Sequence, residues 1–498
     1  MNRGRWWVLG ALAVALLTFG LDATILNVAL PTLATDLHAT TGQLQWFANA
    51  YTLVLAAGLV PAGLLGDRFG PKPLLIGGLA LFGVASVACA YADDATTLIA
   101  ARAVLGVGAA FMVPLSNSVL TKLFPAGERA RAIAVLTMAM ALGIPLGPVL
   151  GGWMLDTFWW GSVFLINAPF VVIGIAALAW LLPTIPGRRD QRIDFLGILL
   201  SSAGLVGLTY GLIEAGDKGW GSAQVLVPAL GGVALLAALV LWLRRSARPL
   251  FDLALFRSRG FAWGSVMATL GSFAMMGAMF VLVQYFQAVN GSDSLHTGLK
   301  LLPIVGGLLV GAQVADRLRP ALGAKILVAI GFLLMAVSLV VATWTSVDTG
   351  YGFVAVWVTG IGVGIGFALP PSMDLAMGSL DKDRTGVGSG LLQALRQVGG
   401  TFGVAILGTV LISGYRAGLN VPGPATDSAA AGVQIAHATG QPWLLDAVRN
   451  AFMSGMVDML WVCVGFAVLG GVLTLMFLPR RPADVEQSES EHDYVVAG

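Results

Sequence analysis

The sequence predicts an all-α polytopic membrane protein with fourteen transmembrane helices and both termini cytoplasmic. Three observations carry that expectation. Of 498 residues, 57% are hydrophobic and 11% charged, whereas soluble domains average about 25% charged residues, so a water-facing surface cannot be covered. Glycine, proline and charged clusters cut the chain into apolar stretches near the length a bilayer requires, about 20 residues each. The loops between them alternate between basic and non-basic.

The first stretch, 6–28, follows a short leader containing Arg3 and Arg5 and reads as an uncleaved span rather than a signal peptide. The next five are 43–65, 74–92, 97–121, 131–155 and 162–183. Then come 195–215 and 223–243, followed by 260–286, 297–315, 325–345, 351–373, 386–412 and 451–478. The longest gap, 413–450, is rich in Gly, Ala and Pro and holds a short helix near 429–437. The tail after Pro482 is acidic and poor in apolar residues, which predicts disorder over 482–498. With the amino terminus inside, 22 of the 28 lysines and arginines fall on inner segments and four (Lys218, Lys300, Arg416, Arg449) on outer loops. That asymmetry is the positive-inside pattern, and one missed span would scramble it downstream. The predicted location is the cytoplasmic membrane.

Composition also excludes functions. A net charge of +2 with scattered basic residues argues against nucleic-acid binding. Cys89 and Cys463 sit in apolar runs, so neither a disulfide framework nor a metal site is expected. The four histidines are isolated and loop-borne, unlike an enzyme's catalytic cluster, and no phosphate-binding glycine loop appears, so no enzymatic activity and no nucleotide cofactor are expected.

The chain repeats internally. Asp67-Arg68 follows the second span and Asp316-Arg317 follows the tenth, 249 residues later. The same shift sets the glycine-rich fifth span opposite the glycine-rich thirteenth. Parallel repeats of this kind build secondary transporters with a site between the halves. The expected organisation is a six-helix bundle over 1–190, two extra helices over 191–246, and a second six-helix bundle over 247–481.

In order along the chain stand LDATILNVALP (21–31), WFANAYTL (46–53), GLLGDRFGPKP (63–73), RAVLGVGAA (102–110), GIPLGPVLGG (143–152), FLINAP (164–169), GWGS (219–222), PLFDLALF (249–256) and LRQVGGTFG (395–403). In this order and spacing they resemble the fourteen-span drug:proton antiporter branch of the major facilitator superfamily. Pro71 departs from the loop motif, where a basic residue is usual, and WWGSVF (159–164) lacks the usual arginine. The resemblance implies the major facilitator fold, two six-helix bundles plus two central helices. It implies a monomer that exports amphipathic, often cationic compounds through the lipid bilayer, with protons as the coupling ion and no other cofactor. A narrower exporter of an endogenous metabolite, antibiotic, lipid or siderophore fits the same motifs.

The candidate residues follow. Gly63, Gly66, Asp67, Arg68, Gly70 and Lys72 form an inner-face latch, in which Arg68 and Lys72 reach carboxylates of the opposite bundle; a merely topogenic basic loop would read the same. Gly143, Gly147, Pro148, Gly151 and Gly152 form the antiporter motif, with glycines at 143, 147 and 151 on one close-packing face. Charge at membrane depth is costly and usually functional. Asp22 lies about 24 Å along the first span and Arg102 about 9 Å from the outer face, depths compatible with contact. A movable Asp22–Arg102 pair would couple proton binding to conformation; a static ion pair would look the same. Arg396 falls near the midplane, with Asp458 as a possible partner or second cation site. Asp22, Trp46, Asn49, Tyr51, Arg396, Asp458 and Trp461 are the candidate substrate residues.

Overall fold

The computed structural model describes residues 4–124, 126–187, 194–246, 253–380, 385–419, 421 and 423–479. The predicted tail over 482–498 lies outside them. No strand occurs among the described residues. The helices are α1 (Gly4–Asp36), α2 (Thr41–Phe69), α3 (Pro71–Ala90), α4 (Ala95–Leu123), α5 (Ala126–Thr157), a short α6 (Ser162–Leu165) leading into α7 (Asn167–Leu181), α8 (Phe195–Lys218) and α9 (Ala223–Arg245). After them come α10 (Arg259–Gln284), α11 (Ser294–Ala342), α12 (Tyr351–Gly378), α13 (Thr385–Gly418), α14 (Ala429–Thr439) and α15 (Pro442–Phe477). Among the described residues, eleven helical stretches are long and apolar enough to cross a bilayer.

Local chemistry sets the helix ends. Thr40 and Gln43 form a reciprocal capping box at the start of α2, satisfying two otherwise orphaned backbone donors. Asp94, Asp194, Asp293 and Ser428 cap α4, α8, α11 and α14. Gly70 takes φ 89° between α2 and α3, and Gly323 takes φ 74° inside α11, dividing that element in two. Only glycine adopts such backbone without a Cβ penalty. The apolar stretch of the tenth span ends at 315, but the helix runs on through Asp316 to Gly323. Asp-Arg is compatible with helix, so the chain turns only where glycine releases it. The two breaks are thus 323 − 70 = 253 residues apart, one turn beyond the 249-residue offset.

The helices pack as two groups, α1–α7 and α10–α15, which meet where α2 lies on α13 and α5 on α11. Helices α8 and α9 pack mainly on each other, and α8 leans on α2 and α13. The outward face of α9 leaves Val227 and Leu230 70% and 64% exposed, an apolar surface that belongs against lipid.

Candidate functional site

The amino-terminal half holds a sealed polar node. Arg102 Nη1 donates to Asp22 Oδ2 at 2.7 Å, and its Nε donates to the Phe47 carbonyl at 3.0 Å. The guanidinium stacks 4.5 Å from the Tyr51 ring centroid. Asn167 Nδ2 donates to Asp22 Oδ1 at 3.3 Å and to Ser86 Oγ at 3.0 Å, while Ser86 donates to the Phe164 carbonyl at 2.8 Å. Both oxygens of Asp22 are therefore engaged, and the side chains of Asp22 and Arg102 are 0% and 2% exposed. Residues from α1, α2, α3, α4, α6 and α7 converge there. Sequence reasoning singled out Asp22, Arg102 and Tyr51 but missed Asn167 and Ser86. The signal for Asn167 was its place in FLINAP, an amide inside an otherwise apolar stretch.

The glycine motif of α5 flanks this node. A Cβ on Gly143 would collide with the Gly20 backbone, and Gly147 and Gly151 abut Thr24 and Ile25 of α1. Thr24 Oγ1 donates to the Gly143 carbonyl at 3.2 Å. These small residues let α1 and α5 approach on both sides of Asp22. One turn round the same helix, Gly152 lies against the Ser294 and Leu295 backbone and the Pro148 carbonyl against Gly298, both on α11. The Leu295 amide also donates to Asp156 at 3.0 Å.

Further contacts join the halves at this end of the bundle. Thr41 donates to the Asp427 carbonyl from its amide at 3.0 Å and its hydroxyl at 2.8 Å. Gln287 Nε2 donates to the Val28 carbonyl at 3.1 Å, and Thr52 pairs with Thr401 at 2.8 Å. Gln45 lies against Gly408, and both it and Asn49, one turn along α2, are buried with no hydrogen-bonding partner among the described residues.

The remaining candidates are not gathered at one place. Trp46 packs on Tyr210 of α8 with ring centroids 6.1 Å apart, so it joins the extra helices to α2. Trp461 is 54% exposed on the outer face of α15 and lines no interior site. Asp458 is exposed beside Gly414, about 27 Å along α13 from Arg396, which removes it as that arginine's partner. Arg396 instead donates to Ser272 Oγ at 3.3 Å and Gln393 Oε1 at 3.1 Å. In the loop motif, Gly66 packs on Leu115 of α4, and a Cβ on Gly63 would lie 3.8 Å from Pro114. Lys72 donates to the Ala179 and Leu182 carbonyls at 2.9 and 2.5 Å, neutralising the carboxyl end of α7. Arg68 lies over the Phe69 ring at 5.3 Å. The Asp67 side chain lies outside the described residues.

Two packed helical halves with an ion pair sealed at membrane depth define a multi-pass membrane protein of the transporter class. The chain belongs to the Major Facilitator Superfamily, whose family model matches residues 12–404. It is 31% identical to the tetracenomycin C resistance and export protein of Streptomyces glaucescens over 96% of this chain and 93% of that one. It is 32% identical to the multidrug resistance protein Stp of Mycobacterium tuberculosis over 82% and 76%. It is 30% identical to the methyl viologen resistance protein SmvA of Salmonella typhimurium over 90% and 93%. Among solved structures it shares its fold with an inward-facing, unoccupied bacterial homolog of the human lysosomal transporter Spinster: TM-score 0.70, 17% identity, 97% of this chain and 99% of that chain.

Proposed function

We propose that the chain is a proton-coupled antiporter that exports amphipathic drugs or other toxic compounds across the cytoplasmic membrane. The observation that carries this reading is the Asp22–Arg102–Asn167 node, sealed at membrane depth and gripped by the α5 glycines. Protonating Asp22 would remove its attraction for Arg102, and the freed guanidinium would then hold α4 against α1 less firmly. The same α5 that flanks Asp22 carries Pro148 and Gly152 onto α11. Proton binding in one half is thereby linked to the contact between halves.

The reading includes fourteen spans, with α11 counted as two across Gly323, and both termini cytoplasmic on the basic-residue asymmetry. The end closed by Thr41, Asp156 and Ser294 is then external, and this state faces inward. Six-helix bundles over 1–190 and 247–481 rock about the closed contacts, and 191–246 rides outside them. In the opposite state Arg68 and Lys72 leave their present partners and latch the inner end. The carrier works as a monomer with protons as its coupling ion.

A narrower exporter of one antibiotic is the second reading. It is favoured by a relative named for a single compound, the tetracenomycin C resistance and export protein of Streptomyces glaucescens. A resistance screen across a compound panel, with and without a protonophore, tests both. Broad resistance abolished by the protonophore supports the first reading, resistance to one chemical series the second, and protonophore-insensitive resistance defeats proton coupling.

A further inference from the structure

Arg396 is a charge at membrane depth for which no carboxylate serves as partner among the described residues. It stands on the face of α13 that packs on α10, in line with Gly400 and Gly403, which abut Met276 and the Phe273 backbone. Its described partners, Ser272 and Gln393, are neutral, and they engage Nε and Nη1. A guanidinium carries five N–H donors in a planar fork, so donors remain for another acceptor. The side chain is half-buried, neither sealed like Arg102 nor spread on the surface.

The other half makes the contrast. A carboxylate able to attract a cation is present there, but both oxygens of Asp22 are already held by Arg102 and Asn167. The two charges of that pair cancel, whereas the charge on Arg396 does not. An unneutralised cation in a low-dielectric interior favours an anion brought by the ligand, and arginine's fork matches the two oxygens of a carboxylate or sulfonate. Met276, flexible and polarisable, lies one turn away as a surface for an aromatic ring.

We propose that Arg396, steadied by Ser272 and Gln393, is an anion-recognition residue of the transport site, taking an acidic oxygen on an aromatic substrate. This rests on the exporter reading and narrows it to substrates bearing a carboxylate, sulfonate or phenolate. It has an electrical corollary. A proton entering and an anion leaving both carry positive charge inward, so membrane voltage drives efflux of an acidic compound. One proton exchanged for one monovalent cation moves no net charge.

Two xanthene dyes of opposite charge test this on the purified full-length chain: fluorescein, an anion at neutral pH, and rhodamine 6G, a cation. Binding is read by fluorescence anisotropy, and efflux in proteoliposomes with a pH gradient, with and without a potassium-valinomycin potential. Arg396→Gln is expected to weaken fluorescein binding about tenfold or more, leaving the rhodamine 6G Kd within about twofold. Arg396→Lys is expected to recover part of the loss, and an inside-negative potential to accelerate wild-type fluorescein efflux. Equal loss of both dyes, no recovery with lysine, or rhodamine 6G efflux by a wild type that does not bind fluorescein overturns the assignment while the exporter stands. A wild type that moves neither dye overturns the broad-exporter reading and this assignment together.

Discussion

Each half sets one arginine within its helices, Arg102 buried and Arg396 half-buried, and treats it oppositely. In the amino-terminal half Arg102 is locked by a carboxylate at 2.7 Å, a backbone carbonyl and an aromatic face, and Asn167 completes the carboxylate's shell. In the carboxy-terminal half Arg396 meets, among the described residues, a hydroxyl and an amide oxygen. A closed ion pair is suited to store a conformational choice that one proton can reverse. An open cation is suited to a ligand that comes and goes. Under the exporter reading the difference points to a division of labour between the halves.

The sharpest way to break the comparison is to open the closed pair. Asp22→Asn should abolish proton-driven efflux, and because it strands a buried guanidinium it should also cost about 3–5 kcal/mol of stability. Pairing it with Arg102→Gln should return much of that stability without restoring coupling, since the two residues act as one unit. Thermal melting in detergent and pH-driven efflux from proteoliposomes read the two effects separately. Full efflux by Asp22→Asn would move the coupling site elsewhere.

A middle-sized effect separates packing within a half from packing between halves. Valine at Gly143 would press on the Gly20 backbone, and valine at Gly152 on the Ser294 carbonyl. Overpacking costs about 1–3 kcal/mol in either place. Gly143→Val should lose transport and melt earlier, because it pushes α1 away beside Asp22. Gly152→Val should instead favour separation of the halves at their closed end. Maleimide should then label Thr52→Cys faster, in a background lacking Cys89 and Cys463. An unchanged labelling rate would show that this contact does not gate the site.

The smallest effect lies where the halves agree. Asp94 and Asp293 cap α4 and α11, accepting from the backbone amides of Thr97 and His296 at 2.8 and 2.7 Å. Those bonds hold both carboxyls below their usual range. A carboxyl whose folded pKa is lowered stabilises the fold fully above its unfolded value, about 3.9, and loses that contribution as pH falls through the lowered folded value. Asp94→Ala and Asp293→Ala should each depress the Tm slightly at neutral pH and match the parent in acid. A difference that persists in acid would mean the side chains act through packing instead of charge.

Most of the helices were legible because a bilayer imposes length and hydropathy along the chain. The short helix expected near 429–437 is present as α14 (Ala429–Thr439). Asp22 and Arg102 stood out because charge within an apolar run is expensive, and their depths matched. The aromatics did not yield to the same reasoning. Trp46, Tyr51 and Trp461 share similar sequence surroundings, yet one packs on α8, one lies under a guanidinium, and one is 54% exposed. A helix that is apolar all round carries no stripe to say which face turns inward.

The sequence by itself determined what depends on position along the chain: the membrane-embedded class, the order of the helices, the place of each charge along its helix and the motifs that carry the family. Tertiary structure alone decided what depends on rotation about a helix axis and on which helices meet. It brought Asn167 and Ser86 to Asp22, turned Lys72 onto α7, set Asp458 far from Arg396, and left Arg396 without a carboxylate among the described residues. Depth follows from a rise of about 1.5 Å per residue. Partnership follows from close packing among helices distant in sequence, and no local pattern encodes it.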